Sequence, residues 1–410
     1  MKLFGWEVGT VERGEKRDVT LQSAASWRRF FPGWGSDETT GEAVNLTTAL
    51  GVPAFWAGVN FLSASLAALP LHVYKVTAKG QERIKGGLQT VLHDAPNDEM
   101  SSVAWRKYSF FQTFTGGRQF SWIERVGGQV VNIWPLDPHY VTVSRTNGRR
   151  VYKYQDGNRT LDYAAADIID LPFALCPDQL NHYSPIERGA GALGLAISME
   201  KYGGKFFKGG GVPPLALEGV MPNGPEASQR ALDQVSEVIS QAAAKSKQVV
   251  MIPPGYKLNP IGFDPDKGQM NDARHFQIEE IGRLLGLPPV FLQDLTHGTF
   301  ANTEQQDLHL VKHTLSQWAS AFEQELNLKL FGRNNTKFYV ELNMDGLLRG
   351  DFATRMAGMA QAVQNGLLTP NEGRAYDNRP AMANGDDLLI QGATVPLGSQ
   401  KVADAPPPAA

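Results

Sequence analysis

The sequence predicts an α+β fold, and three observations predict it. Between Gln119 and Pro172 the chain is a series of short β-prone segments separated by Gly127-Gly128, Asn147-Gly148 and Asp156-Gly157, the last two being tight-hairpin pairs. From Gly268 to Phe331 a helix, a Pro-Pro stop and a Gly-containing loop lead into a longer helix. Two helices, Pro185 to Lys208 and Gln269 to Leu285, also bracket a small α/β unit over Pro213 to Phe263. Strands and helices thus fall in separate blocks.

In chain order, residues 1 to 42 mix charges with Trp6, Trp27, Phe30, Phe31 and Trp34 and show no sustained period. They read either as an arm that docks on a neighbouring subunit or partner, or as a frayed tail. A helix is expected from Thr47 or Thr48, with Phe55, Trp56, Val59, Leu62 and Leu66 on its apolar face and Pro70 as its stop. Leu71 to Val76 reads as a strand, followed by a turn at Lys79-Gly80. Ser101 or Ser102 caps a helix holding Trp105, Tyr108, Phe111 and Phe114, and Gly116-Gly117 ends it. Strands are then expected at Gln119 to Arg125, Val130 to Trp134, Val141 to Ser144, Val151 to Gln155 and Ile168 to Pro172, forming a meander or small barrel. Asp137 reads as a turn residue and Asp167 as a cap at a strand edge.

Ser184-Pro185-Ile186-Glu187 is a compact helix start: Ser caps, Pro takes the first helical position and Glu can reach back. That helix should run to Lys208 and stop at Gly209-Gly210-Gly211. The α/β unit is expected to hold a strand at Leu215 to Leu217, a helix from Pro225 to Ala244, and strands at Gln248 to Ile252 and Leu258 to Ile261. Asn271 or Asp272 can cap the next helix, whose buried side would carry Phe276, Ile278, Ile281 and Leu285 before Gly286 and Pro288-Pro289 end it. Thr303 with Gln306 reads as a capping box. The stripe Leu308, Val311, Leu315, Trp318, Phe322, Leu326 and Leu330 follows, and a helix from Thr303 to Leu330 would be about 40 Å long. Phe338 to Leu342 closes as a strand, and two helices, Gly350 to Asn365 and Pro370 to Tyr376, come after it. The tail beyond Pro396, with Pro406 to Pro408, is disordered by composition.

Bulk properties narrow the function classes. Apolar residues make up 42% and charged residues 20%, with a net charge of −3 and a pI near 6.3. Tight nucleic-acid binders are normally basic, because each neutralised phosphate releases counterions. This composition argues against a protein that grips nucleic acid tightly. No run of about 18 apolar residues occurs, so no spanning helix and no membrane partner are expected. The N-terminus lacks an apolar core for a secretory signal, and synthesis in a cytoplasm is expected. The single cysteine, Cys176, cannot form an intramolecular disulfide and reads as a small, mostly buried apolar side chain.

Motifs that usually carry chemistry are weak. Gly189 to Gly194 spells G-x-G-x-x-G, but a dinucleotide site needs it directly after a strand, and here it follows a helix start. Its small residues suit close approach of another helix, from this chain or the next subunit. His309 and His313 stand at i and i+4, yet Leu310 occupies the place where a metalloprotease carries its Glu, so they read as a polar face. Lys201, Lys205 and Lys208 lie on one side of a helix end, where positive charge suits a helix C-terminus. No P-loop, no G-x-S-x-G elbow and no cofactor or metal pattern is found, so no enzyme activity is expected.

The words that remain resemble a known family. Gly286-Leu287-Pro288-Pro289, then Phe300, Asn302, Glu304 and Gln305 before a long helix, resemble the signature of portal proteins of HK97-type tailed bacteriophages. Leu69-Pro70-Leu71 with Val73-Tyr74, Leu92 to Asn97 with Met100-Ser101, Trp134 to Pro138, Asp167 to Leu171, and Gly366, Leu367, Thr369, Asn371, Glu372 and Arg374 extend the likeness. The resemblance implies a wing (43–183), two stem helices (184–211 and 265–288), a clip (212–264), a tunnel loop (289–302), a long kinked wing helix with a strand (303–345) and crown helices (346–392). It implies a dodecameric ring at a capsid vertex of the virion. Double-stranded DNA would pass through it, and its partners would be the terminase large subunit, a head-tail adaptor and the major capsid or scaffold protein. Lys201, Lys205 and Lys208, with His297, Thr299 and Asn302 of the loop, become the lumen-facing candidates. Two other readings stay open: a soluble nucleotide-cofactor enzyme using Gly189 to Gly194, and a different head-tail structural protein.

Overall fold

The computed structural model describes residues 41–78, 80–208, 215–219, 225–244, 256–260, 269–294, 306–344, 352–377 and 379–389. Two compact units divide the chain, one up to Leu342 and one from Asn343. The first unit begins with α1 (Leu46–Leu50), α2 (Pro53–Ala68), β1 (Leu71–Thr77), β2 (Gly80–Arg83), α3 (Leu88–His93) and α4 (Ser102–Thr115). The expected helix start at Thr47 or Thr48 moves to Asn45, which caps Thr48 N–H in a capping box, and Pro53 starts a separate helix after Gly51. Trp56, expected on the buried face, is 48% exposed and meets Phe111 edge-on at 6.1 Å. Pro53 brings Phe55, Val59, Leu62 and Leu66 inward instead, all fully buried.

Six strands follow: β3 (Arg118–Val126), β4 (Gln129–Leu136), β5 (Val141–Thr146), β6 (Arg149–Asp156), β7 (Arg159–Ala164) and β8 (Ile168–Pro172). They do not form one meander. Two antiparallel sheets of three strands, β4-β3-β8 and β5-β6-β7, share them. The strand β7 went unread because Arg159-Thr160-Leu161-Asp162 is mostly exposed and lacks an apolar alternation. With β7 taking the free edge of β6, β8 returns to pair with β3. Phe120, Leu136, Val141, Tyr152 and Ile168 form the core between the sheets. Asp137 accepts from His139 N–H in a turn, as expected, while Asp167 pairs with Arg125 at 3.0 Å.

Next come α5 (Pro185–Arg188), α6 (Ala190–Lys208), β9 (Leu215–Gly219), α7 (Pro225–Ala244), β10 (Tyr256–Pro260) and α8 (Gln269–Leu285). Strands β9 and β10 pair antiparallel; the strand expected at Gln248 to Ile252 lies outside the described residues. A π-helical segment, Leu310–Leu315, then leads into α9 (Ser316–Phe331), and β11 (Phe338–Leu342) adds to β1 in the sheet β11-β1-β2. The long helix thus contains a wider turn, which shifts the expected apolar stripe by a residue: Leu310, Val311, Thr314 and Leu315 are buried together, and Leu308 is 48% exposed. Thr303, half of the expected capping box, lies outside the described residues. Helices α4 and α9 meet through rings, with Phe322 5.2 Å from Phe110 and 5.7 Å from Trp105, and Trp318 5.0 Å from Phe114.

The second unit holds α10 (Phe352–Gln364) and α11 (Pro370–Tyr376). Thr369 and Glu372 form a capping box at the start of α11. Asn371 is a clasp for the chain that follows: its side chain accepts from Met382 N–H at 2.7 Å and donates to Met382 O and to Asp386. Gly385 sits so close that a Cβ there would lie 2.5 Å from the Asn371 side-chain oxygen.

Candidate functional site: the helical hairpin and its base

The α6–α8 pair is an antiparallel hairpin. Leu284 lies against Gly189, and seven residues earlier on α8 Gln277 donates to the carbonyl of Ala192 at 2.6 Å, so one helix rises as the other falls. Gly189 breaks the expected continuous helix into α5 and α6, with ψ of 9°. Its missing side chain matters, since a Cβ would sit 2.3 Å from a Leu284 methyl. This use of Gly189 is helix packing within the chain, and G-x-G-x-x-G here neither follows a strand nor opens a phosphate cradle.

On α8 the buried residues are Gln277, Ile281, Gly282 and Leu285. Phe276, expected inside, is 55% exposed and lies beneath the Arg283 guanidinium at 5.3 Å. Asn271 and Asp272 sit within the first turns, because the helix already begins at Gln269. Against α2, Gly58 would place a Cβ 2.5 Å from Leu285 and 3.1 Å from Leu292. Phe61 stacks on Phe291 at 5.2 Å, and Asp294, at the root of the following loop, pairs with His275 at 3.1 Å. Thr314 of the π segment donates to Gly286 O at 2.8 Å, tying that segment to the hairpin's base. A largely apolar cleft of about 360 Å³ opens beside it, lined by Phe173, Tyr183, Pro185, Arg188 and Leu284.

The three candidate lysines are exposed on α6, but they are not equivalent. Lys201 Nζ lies 2.5 Å from the Glu42 carboxylate, an ion pair that links the helix to the segment before α1. Lys205 and Lys208 stand in the last turn. His297, Thr299 and Asn302 lie outside the described residues. His309 and His313 are exposed with rings 4.5 Å apart, and among the described residues no group of three or more His, Cys, Asp or Glu is placed to hold a metal.

Sequence reasoning missed a buried charge network behind the hairpin. Arg118 grips Asp170 with two hydrogen bonds of 2.6 and 2.5 Å, and both side chains are nearly fully buried. Tyr152 donates to the same carboxylate at 2.6 Å, and Arg150 approaches it at 3.6 Å. Asp170 N–H donates to Glu325 of α9, whose carboxylate pairs with Lys329 at 3.4 Å. Burial lowers the Arg118 proton affinity, but hydrogen bonds and charge from Asp170 outweigh it and raise the value. Burial, then Asp170, raises the Tyr152 phenol. Burial likewise raises Glu325, against Lys329 and the Asp170 amide. A signal was available: Asp170 breaks an otherwise apolar strand, and a buried carboxylate demands a cation. This arrangement binds strands to a helix and leaves no carboxylate facing a cleft.

These features define a class: an α+β protein whose body of helices and small antiparallel sheets carries a helical hairpin, with a strand pair and a helix set between the two hairpin arms. The chain belongs to the phage portal protein family, which it matches over residues 53–378. It is 28% identical over 368 residues to the portal protein of Enterobacteria phage HK97, covering 87% of this chain and 85% of that protein. It is 27% identical over 415 residues to the probable portal protein of Streptomyces phage phiC31, covering 97% and 89%. Among solved structures, an HK97-family phage portal protein from Corynebacterium diphtheriae shares the fold with a TM-score of 0.56 at 12% identity, over 75% of this chain and 98% of that one. A chain from the neck of an empty gene transfer agent particle does so at 0.56 and 19%, over 85% and 95%.

Proposed function

We propose that this portal protein assembles into a ring at one vertex of a phage or prophage capsid and forms the channel through which double-stranded DNA is packaged and later leaves. The terminase large subunit docks on the ring during packaging, head-tail adaptors replace it, and capsid or scaffold protein surrounds it. The observation that carries the reading is the family match, continuous from α2 to the end of α11. A twelve-subunit ring is favoured by a related neck, that of a native gene transfer agent particle computed with C12 symmetry. In this reading residues 43–183 are the wing, 184–211 and 265–288 the stem, 212–264 the clip, 289–302 the tunnel loop and 346–392 the crown. Lys205 and Lys208, with His297, Thr299 and Asn302, face the lumen, whereas the pairing with Glu42 makes Lys201 the weaker lumen candidate. The protein is a passive structural channel, and the motor's nucleotide chemistry belongs to its partner.

Native mass by light scattering, with negative-stain imaging of the same fraction, tests this. A ring of about twelve 44.9 kDa chains with a central hole is expected. A chain that stays monomeric or dimeric even when produced with its capsid and scaffold proteins would overturn it.

A further inference from the structure

The face that His309 and His313 make is more particular than polarity requires. Elsewhere in the described chain each histidine commits a ring nitrogen: His72 to Gln89, His93 to Asp94, His139 to Asp137, His182 to Gly116 O and His275 to Asp294. Among the described residues His309 and His313 have no hydrogen-bond or ion-pair partner, and both are exposed. Their contact is with each other, ring centroids 4.5 Å apart and planes inclined by 43°. His309 directly precedes the π segment and His313 lies within it, while Leu310, Val311, Thr314 and Leu315 turn inward and leave the two imidazoles outside.

That separation suits two imidazoles on one cation. A metal lies about 2.0–2.1 Å from a ligating histidine nitrogen, and the ring centre about 1.1 Å beyond it, so each centroid would stand about 3.2 Å from the ion. Centroids 4.5 Å apart then subtend about 90° at the metal, the cis angle of a tetragonal or octahedral site and narrower than a tetrahedral one. Imidazole suits Cu²⁺ and Ni²⁺, which accept that geometry, whereas Mg²⁺ and Ca²⁺ take oxygen ligands. We propose that His309 and His313 together chelate one divalent transition-metal ion, Ni²⁺ or Cu²⁺, with water in its remaining positions. The chelate closes across the π turn, so a bound ion fixes that turn. It fixes Thr314 as well, whose hydroxyl donates to Gly286 O at the base of the hairpin. The site lies within one chain, and the proposal does not depend on the ring or on DNA.

Full-length, untagged chain titrated with NiCl₂ by isothermal calorimetry tests this. One Ni²⁺ per chain is expected, and MgCl₂ should give no binding at this pair. His309→Gln and His313→Gln should each weaken Ni²⁺ binding about a hundredfold, because losing either imidazole ends the chelate. The double variant should be no worse than either single one, since the two ligands act as a unit. His139→Gln should leave binding unchanged. Absence of binding, binding that neither variant weakens, a double variant whose loss is the sum of the two, or a loss confined to His139→Gln would each overturn the proposal. Hydrogen exchange gives an independent reading: with Ni²⁺ at about ten times its Kd, exchange over 310–315 should slow about tenfold in the parent and not in His309→Gln. Equal rates with and without Ni²⁺ in the parent would overturn the fixing of the turn.

Discussion

The Asp170 carboxylate has two arginines and a tyrosine around it, and its backbone N–H donates to Glu325, yet the net worth of such a buried pair is small until one member is removed. Replacing Asp170 by Asn keeps the shape and strands the Arg118 charge. Urea unfolding should show a loss of about 3–5 kcal/mol, while Tyr152→Phe, which removes one hydrogen bond, should cost about 1 kcal/mol. His72 gives a pH dependence of definite sign. Burial, then the charges of Arg83, His93 and Arg106, lowers its pKa from 6.5 to about 4. Between those values the unfolded chain binds a proton that the folded chain refuses. Stability from this group is therefore level above pH 6.5 and falls as the pH drops towards 4, by at most about 3 kcal/mol. Urea midpoints of the parent and of His72→Asn, taken from pH 7.5 to 4.5, should diverge through that window, the parent losing more.

At the scale of elements, the joint between α4 and β3 is closely packed. Gly117 has φ of +88°, and a Cβ on it would lie 2.5 Å from Tyr183 O and 2.7 Å from Ser184 Cα. Both obstacles are backbone, so no rotamer change relieves them, and Gly117→Ala should cost at least about 2 kcal/mol by thermal or urea unfolding. Displaced with Ser184 would be the start of α5, so the same variant should loosen the hairpin, read as faster hydrogen exchange in α6. This joint also shows what the sequence could and could not tell. Gly116-Gly117 was legible as a helix stop, because glycine ends helices for local reasons. That Gly117 also makes room for a segment 66 residues downstream depends on a long-range approach that leaves no local pattern. The cap at Ser184 was read correctly for the same local reason, and of the pair Ser101 or Ser102 the structure selects Ser101. Phe276 and Trp56 were misplaced inside because periodicity locates an apolar face but not what covers it. The place of the π turn escaped because the burial of Leu310 and Thr314 breaks the simple stripe.

For the whole molecule, charge separates a channel that passes DNA from one that holds it. A net charge of −3 and a pI of 6.3 provide no general attraction to phosphate, and the candidate cations on α6 are three, one already paired with Glu42. Counterion release scales with the number of phosphates neutralised, so binding by the remaining Lys205 and Lys208 should be weak and lost with added salt. In a gel-shift assay at about 150 mM salt, linear duplex should show no retained complex at micromolar protein, at or weaker than the usual non-specific range. At about 20 mM salt any complex should weaken when Lys205 and Lys208 are both changed to Ala, and Lys201→Ala should matter less. A tight complex that survived at 150 mM would contradict the conduit reading, because a lumen that neutralised many phosphates at once would hold the DNA it is meant to let slide.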